Sequence, residues 1–353
     1  MRRNAILATL ALMAMVACGG KGSATKLSGT APEGETLVVK IGDPKDGEEI
    51  AIPAGDFTVS IPTDKNTAVY ILASDKSFAG PFVADGSKLT LVQDGETYVV
   101  TSDSPESLTS KLKAYKESIN QLTSDFYKKI SENKDITEEE TNKLADEIEA
   151  KMTDLSKKLY EENKDNYLGK EAVMDLFYSL KPEELEAMIS GLAPEVAADE
   201  DIKKVSESLA AQKATAEGAK FTDFEVEQPD GTKAKLSDYV GQGKYMLVDF
   251  WASWCGPCRA EIPNIKDVYE KYHGEDFDVL SVAVWDKVED TQKALEEEQL
   301  PWPQIINAQK VPTDIYGING IPHIILFGPD GTILHRELRG KAIDETVGKY
   351  IKK

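Results

Sequence analysis

Three hydrophobic periods follow one another along the chain. Between residues 26 and 103, short runs rich in Val, Ile and Thr at 36–41, 56–61, 68–72, 88–92 and 97–101 are separated by Gly, Pro and Asp. Runs of that length and spacing predict strands, with a turn at Asp94-Gly95, and together a small antiparallel β-sandwich. From 104 to 217 the period lengthens. Leu108, Leu112, Tyr115, Ile119, Leu122, Phe126 and Ile130 recur every third or fourth residue, which predicts one helical stripe opened by Ser104-Pro105-Glu106. A second helix is expected from Thr137, with shorter ones at 170–180, 182–192 and 200–213. This central all-α region packs its own stripes together in the simplest case; docking or dimerisation is the alternative. From 218 to 353 strands alternate with helices, the pattern of an α/β domain on a central sheet. Its strands are expected at 221–226, 234–236, 245–250, 277–284, 323–327 and 332–338, and its helices at 257–272, 288–299 and 343–351.

The first residues belong to none of these periods. Met1-Arg2-Arg3 is followed by an apolar or small run from 5 to 17, broken only by Thr9, and then by Gly19-Gly20-Lys21-Gly22-Ser23. The run is too short to span a bilayer and has the layout of an export signal. Met15-Val16-Ala17-Cys18 resembles the lipobox of bacterial lipoproteins, with Met15 where Leu is usual. That resemblance implies a signal peptide over 1–17, an acylated Cys18, a tether over 18–25, and a lipid-anchored protein facing the periplasm. With 62 acidic and 41 basic residues the surface repels phosphate backbones, so no nucleic-acid partner is expected.

Cysteine usage narrows the chemistry. Only Cys18, Cys255 and Cys258 occur, and the last two lie in Trp254-Cys255-Gly256-Pro257-Cys258, directly after the apolar run 245–250. Two thiols spaced by two residues at a strand–helix junction read as a redox pair. Cys255 falls where unpaired helix N–H groups and the helix dipole stabilise a thiolate. Cys258, one turn inside and less exposed, suits the resolving role. Pro257 fits the first helical position. Trp254 is expected beside the exposed sulfur and Trp251 in the core. Two thiols fall short of a four-ligand zinc site, and His273, His323 and His335 read as dispersed surface or loop residues.

The segment from Val248 to Cys258 resembles the active-site signature of the thioredoxin family. Its continuation Arg259-Ala260-Glu261-Ile262-Pro263 is similar to the TlpA/ResA-like branch. The resemblance implies a C-terminal thioredoxin fold that reduces or exchanges protein disulfides, with no cofactor beyond the thiols and a membrane electron donor to recharge them. It implies that Ile321-Pro322 is the cis-proline loop that helps bind substrate backbone. Asp249 matches the family's buried acid serving the resolving cysteine, a solvated strand-edge Asp being the alternative. Glu261 matches an acid near the thiols, an exposed helix charge being the alternative, so the main proton acceptor stays open between the two. Gly256-Pro257 is the dipeptide associated with a reducing pair. A peroxidase of this fold needs Pro and Thr or Ser where Val248 and Ala252 stand. A binding or scaffold lipoprotein is the non-enzymatic alternative.

Overall fold

The computed structural model describes residues 24–73, 76–133 and 135–351. Cys18, the expected signal segment and most of the expected tether lie outside them. The chain divides into two compact units. One takes the residues up to Ser179 together with Leu192–Val196, the other Leu180–Gly191 and everything from Ala197 onward.

The first unit begins with eight strands: β1 (Ala24–Ala31), β2 (Leu37–Ile41), β3 (Glu48–Ile52), β4 (Gly55–Pro62), β5 (Asp64–Ala73), β6 (Lys76–Ala84), β7 (Leu89–Asp94) and β8 (Thr97–Ser102). They form two four-stranded sheets, ordered β4-β1-β7-β8 and β3-β2-β5-β6. Both sheets send residues into one apolar cluster that includes Leu27, Val39, Ile61, Ile71, Phe82 and Leu89. Full burial of each such side chain contributes about 1.5–3 kcal/mol. The expected all-antiparallel pairing does not hold, because β1 lies parallel to β7. β1 begins at Ala24, inside the expected tether, and buries only small or isolated residues such as Thr25, Leu27 and Ala31. β3 carries two glutamates, and β6 is interrupted by Gly80-Pro81, so neither shows the alternation that marked the other strands.

Helices α1 (Leu108–Glu132), α2 (Glu138–Glu162) and α3 (Tyr167–Leu176) follow in this unit. α1 starts later than Ser104. Ser107 caps it by accepting from Ser110 N–H at 3.1 Å, and Asp85 takes the Leu108 N–H at 2.6 Å. Thr137 and Glu140 form the reciprocal capping box of α2.

Next in sequence come α4 (Pro182–Gly191), α5 (Pro194–Ala197) and α6 (Glu200–Ala214). α4 and α6 belong to the second unit, so the helical residues 104–217 are shared between the two units. α6 is locked onto its unit: Ser208 and Asn319 bond each other at 3.0 and 2.9 Å, and Arg336 donates to the Thr215 carbonyl at 2.7 Å. Gly317 makes this approach possible, since a Cβ there would sit 2.5 Å from the Ser208 carbonyl oxygen and its φ is +61°.

The second unit continues with β9 (Glu225–Glu227), β10 (Lys233–Lys235), β11 (Tyr245–Trp251), α7 (Gly256–Tyr272), β12 (Phe277–Ala283), α8 (Val288–Glu298), β13 (Gln304–Ile305), α9 (Val311–Tyr316), β14 (His323–Phe327), β15 (Ile333–His335) and α10 (Lys341–Tyr350). A five-stranded sheet runs β13-β12-β11-β14-β15, with β11 parallel to β12 and antiparallel to β14. Apolar clusters on both faces bury β11, which explains its near-continuous hydrophobic run. β13 and α9 were not anticipated; two and six residues are too short for a periodic signal.

Candidate active site

Alternation along β11 decides what meets the thiols. Met246, Val248 and Phe250 enter one apolar cluster, while Leu247 packs with Ile265 and Val268 of α7 on the other face. Trp251 shares that second face and clusters with Cys255 and Cys258. Asp249, between Leu247 and Trp251 in the same alternation, therefore projects beneath the start of α7.

Cys255 is the N-cap of α7, and its Sγ accepts the Cys258 N–H at 3.1 Å. That bond favours negative charge on Cys255 once the pair is reduced. The two cysteines are joined here as a disulfide, 4% and 1% exposed. The attacking sulfur is thus less open than expected, because Trp251 and Ile321 pack over the pair. Cys255 Sγ lies 3.7 Å from the Ile321 carbonyl oxygen, and the Ile321–Pro322 peptide bond is cis. Gly256 opens the helix, so Pro257 occupies the second position, where its missing N–H is equally harmless.

Trp251 is 1% exposed, in the core as expected. It clusters with the two cysteines. Trp254 is 61% exposed, and its indole N–H donates to the Trp285 carbonyl at 3.0 Å. Trp285 holds a left-handed backbone, φ +53°, a conformation that costs about 1–3 kcal/mol in a bulky residue. Its neighbours supply the compensation. Trp285 Nε1 donates to Thr313 Oγ1 at 3.1 Å, and buried Asp286 accepts from Ser253 N–H at 2.7 Å, Ser253 Oγ at 3.0 Å and Thr291 Oγ1 at 2.8 Å. A cleft of about 500 Å³ opens beside Trp254, lined also by Trp285, Asp290 and Lys310.

Asp249 is 2% exposed, which removes the solvated-edge reading. Burial pushes its carboxyl up to about 7; the Arg339 charge pulls it back, Glu261 adds to the rise, and the Ser281 side chain lowers it. Its Oδ1 has no hydrogen-bond partner. Glu261 is half-buried rather than a free helix charge. Its two carboxylate oxygens accept the Gly340 N–H at 3.1 and 3.0 Å, and Oε2 accepts from Asn264 at 2.9 Å.

His323 overturns its surface or loop assignment. It heads β14, an interior strand between β11 and β15, and is 6% exposed. Burial pushes its ring down to about 3, with Arg336 and Arg339 adding to the fall. The ring is therefore neutral, and its Nε2 accepts from Arg336 at 3.2 Å.

Comparison with known proteins places this geometry. Residues 218–336 match the model of the AhpC/TSA family. The thiol-disulfide oxidoreductase ResA of Geobacillus thermodenitrificans is 29% identical over 120 residues, 34% of this chain and 68% of that protein. ResA of Bacillus subtilis is 23% identical over 143 residues, 40% and 78% of the two. The C-terminal domain is a thioredoxin-like thiol-disulfide oxidoreductase domain. Among solved structures, the thioredoxin domain of a thiol-disulfide oxidoreductase from Bacteroides vulgatus is 34% identical, covering 39% of this chain and 99% of that one, with a TM-score of 0.36. A thiol:disulfide interchange protein from a Bacteroides species is also 34% identical, covering 39% and 91%, with a TM-score of 0.35.

Two residues of this domain escaped the sequence reading. Asp286 follows β12 at the end of the sheet nearest the motif, a position that could have flagged it. Arg339 bonds the Pro322 carbonyl from a turn 81 residues beyond Cys258, and no local pattern marks it.

Proposed function

We propose that the protein is a lipid-anchored oxidoreductase of the bacterial envelope that reduces or exchanges protein disulfides through Cys255 and Cys258. The observation that carries this is the placement of Cys255 Sγ at the helix N-cap, bonded by the Cys258 N–H and beside the Ile321 carbonyl.

In the reduced enzyme the Cys255 thiolate attacks one sulfur of the substrate disulfide. A Cys255–substrate disulfide forms and the first substrate thiolate leaves. The Cys258 thiol then gives its proton to an acceptor, for which buried Asp249 is the better placed of the two acids. Its carboxyl titrates near neutral pH, and it shares the β11 face with the cysteine cluster. Glu261 is committed to the Gly340 N–H. The Cys258 thiolate attacks Cys255 Sγ, closing the internal disulfide and releasing the second substrate thiolate. Two electrons pass to the substrate, and the two thiols suffice without a cofactor. An electron donor at the membrane must then reduce the pair. Ile321 and Pro322 bound the substrate-docking side, and Trp254 with its cleft offers a surface for a polypeptide.

The lipid anchor rests on the lipobox-like residues ending in Cys18, and the envelope location on that segment and the ResA relatives. No helix among the described residues is long and apolar enough to cross a membrane. The AhpC/TSA match raises a peroxidase as a second reading; Val248 and Ala252, where such enzymes need Pro and Thr or Ser, argue against it.

The test is reduction of insulin by dithiothreitol with the chain lacking residues 1–18. Wild type accelerates the reaction, and Cys255→Ser loses at least about 100-fold. Equal rates for the two would end the assignment. Thiol-dependent consumption of hydrogen peroxide in place of insulin reduction would favour the peroxidase.

A further inference from the structure

The turn between β15 and α10 brings one guanidinium against several parts of the site. Arg339 donates to the carbonyl of Pro322, and from Nη1 to the carbonyl of Leu338 at 2.9 Å. The next residue, Gly340, gives its N–H to both oxygens of Glu261. The Arg339–Gly340 turn is therefore fastened to the cis-proline loop at one residue and to α7 at the other. Asp249 lies buried with one oxygen unpartnered, and Arg339 and Glu261 are the two charges that act on it. From β12 the Ser281 side chain bears on the same carboxyl, and from β14 neutral His323 lies within the field of Arg339.

A buried carboxylate loses several kcal/mol of hydration, and only a partner or a nearby opposite charge offsets that loss. Arg339 is the cation that offsets part of it here, and its loss would leave Glu261 as an uncompensated like charge. We propose that Arg339 is a positioning residue for thiol–disulfide exchange, its guanidinium fixing the Pro322 loop while its charge stabilises the Asp249 carboxylate against burial. The proposal rests on the reading of Asp249 as proton acceptor for Cys258. Because one side chain serves both ends, a displacement of the docking loop alters the acidity of the acid that serves the resolving thiol.

The test uses the reduced full chain in detergent, as wild type, Arg339→Met, Arg339→Lys and Glu261→Gln. Two readouts are taken. One is the titration of the Asp249 carboxyl by ¹³C NMR. The other is the pH profile of the resolving step, followed as release of thionitrobenzoate from its mixed disulfide on Cys255. Arg339→Met moves both midpoints upward by about one pH unit or more, the scale expected for loss of a nearby opposite charge. Arg339→Lys restores more than half of the shift, and Glu261→Gln moves the midpoints downward. An Asp249 midpoint in Arg339→Met within about 0.2 units of wild type overturns the proposal on the scale of such shifts. So does a lysine variant that behaves like methionine. If wild type releases no thionitrobenzoate at any pH, the oxidoreductase reading fails, while the NMR titration still decides the role of Arg339.

Discussion

The two units differ in how many buried polar atoms they leave unpaired, and where. In the first, Lys40 is 7% exposed yet reaches Glu49 at 2.8 Å and the Lys45 carbonyl at 2.9 Å. Thr25 meets Thr63 at 3.1 Å and the Gly86 N–H at 2.9 Å, and the Tyr115 hydroxyl bonds Ser156 at 2.8 Å and Asp175 at 2.6 Å. Asn66 Oδ1 is the exception there among the described residues. In the second unit buried Asp286 and His323 are paired, but four buried side-chain atoms among the described residues have no partner: Gln228 Nε2, Gln304 Oε1, and Asp249 Oδ1 and Trp251 Nε1 of the strand that runs into the cysteine pair. Native folds leave few such atoms, and the two on β11 mark the strand beside the cysteine pair as a place where pairing is given up.

The largest expected effect is at Asp249. Its folded carboxyl titrates near 7 against an ordinary value of 3.8, so the native state holds a proton that the unfolded chain has lost. Stability from this group is therefore full below about pH 4 and falls as pH rises towards 7. Asp249→Asn should be more stable than wild type at pH 8 by about 2–4 kcal/mol, and nearly equal to it at pH 4, in urea unfolding. It should also slow insulin reduction. A variant less stable than wild type at pH 8 would erase the contrast between the units.

His323 has the opposite sign. Its folded ring titrates near 3 against 6.5, so the unfolded chain binds the extra proton and stability is lost as pH falls from about 6.5. Comparing wild type with His323→Gln at pH 7 and 4.5 should show about 2 kcal/mol of acid destabilisation that the variant lacks. Lys40→Met supplies the control from the first unit. Its partner Glu49 is 59% exposed, so the loss should be about 1 kcal/mol, with insulin reduction at the wild-type rate. Trp254→Ala is the smallest change in stability, under about 0.5 kcal/mol because the ring is largely exposed. It should still lower the rate on protein disulfides severalfold if its cleft receives a polypeptide.

What could be read in advance was what is local. The cysteine pair sits on a strand, a turn and a helix that are adjacent in sequence, so apolar run, spacing and cap residues place Cys255 and Cys258 before any tertiary information. Asp249 stands out because a carboxylate interrupts an otherwise apolar strand. The partners that tune these groups come from far along the chain. Arg339 reaches Pro322 across 17 residues, Gly340 reaches Glu261 across 79, and Asp286 reaches Ser253 across 33. His323 heads the expected strand 323–327, but nothing nearby shows that this strand lies between β11 and β15 and buries the ring. In the first unit, β1 and β3 were hidden by polar residues and β6 by its Gly-Pro step, and the cap of α1 depended on Asp85 from the β6–β7 connection.

The central claim is that Cys255 attacks and Cys258 resolves. Cys258→Ala, expressed in cells and trapped by acid quench, tests it by mass spectrometry of envelope proteins disulfide-linked to the variant. The account predicts adducts on Cys255 that dithiothreitol releases and that are absent from the Cys255→Ser, Cys258→Ala double variant. Adducts that persist without Cys255, or a single variant that accumulates none, would contradict it.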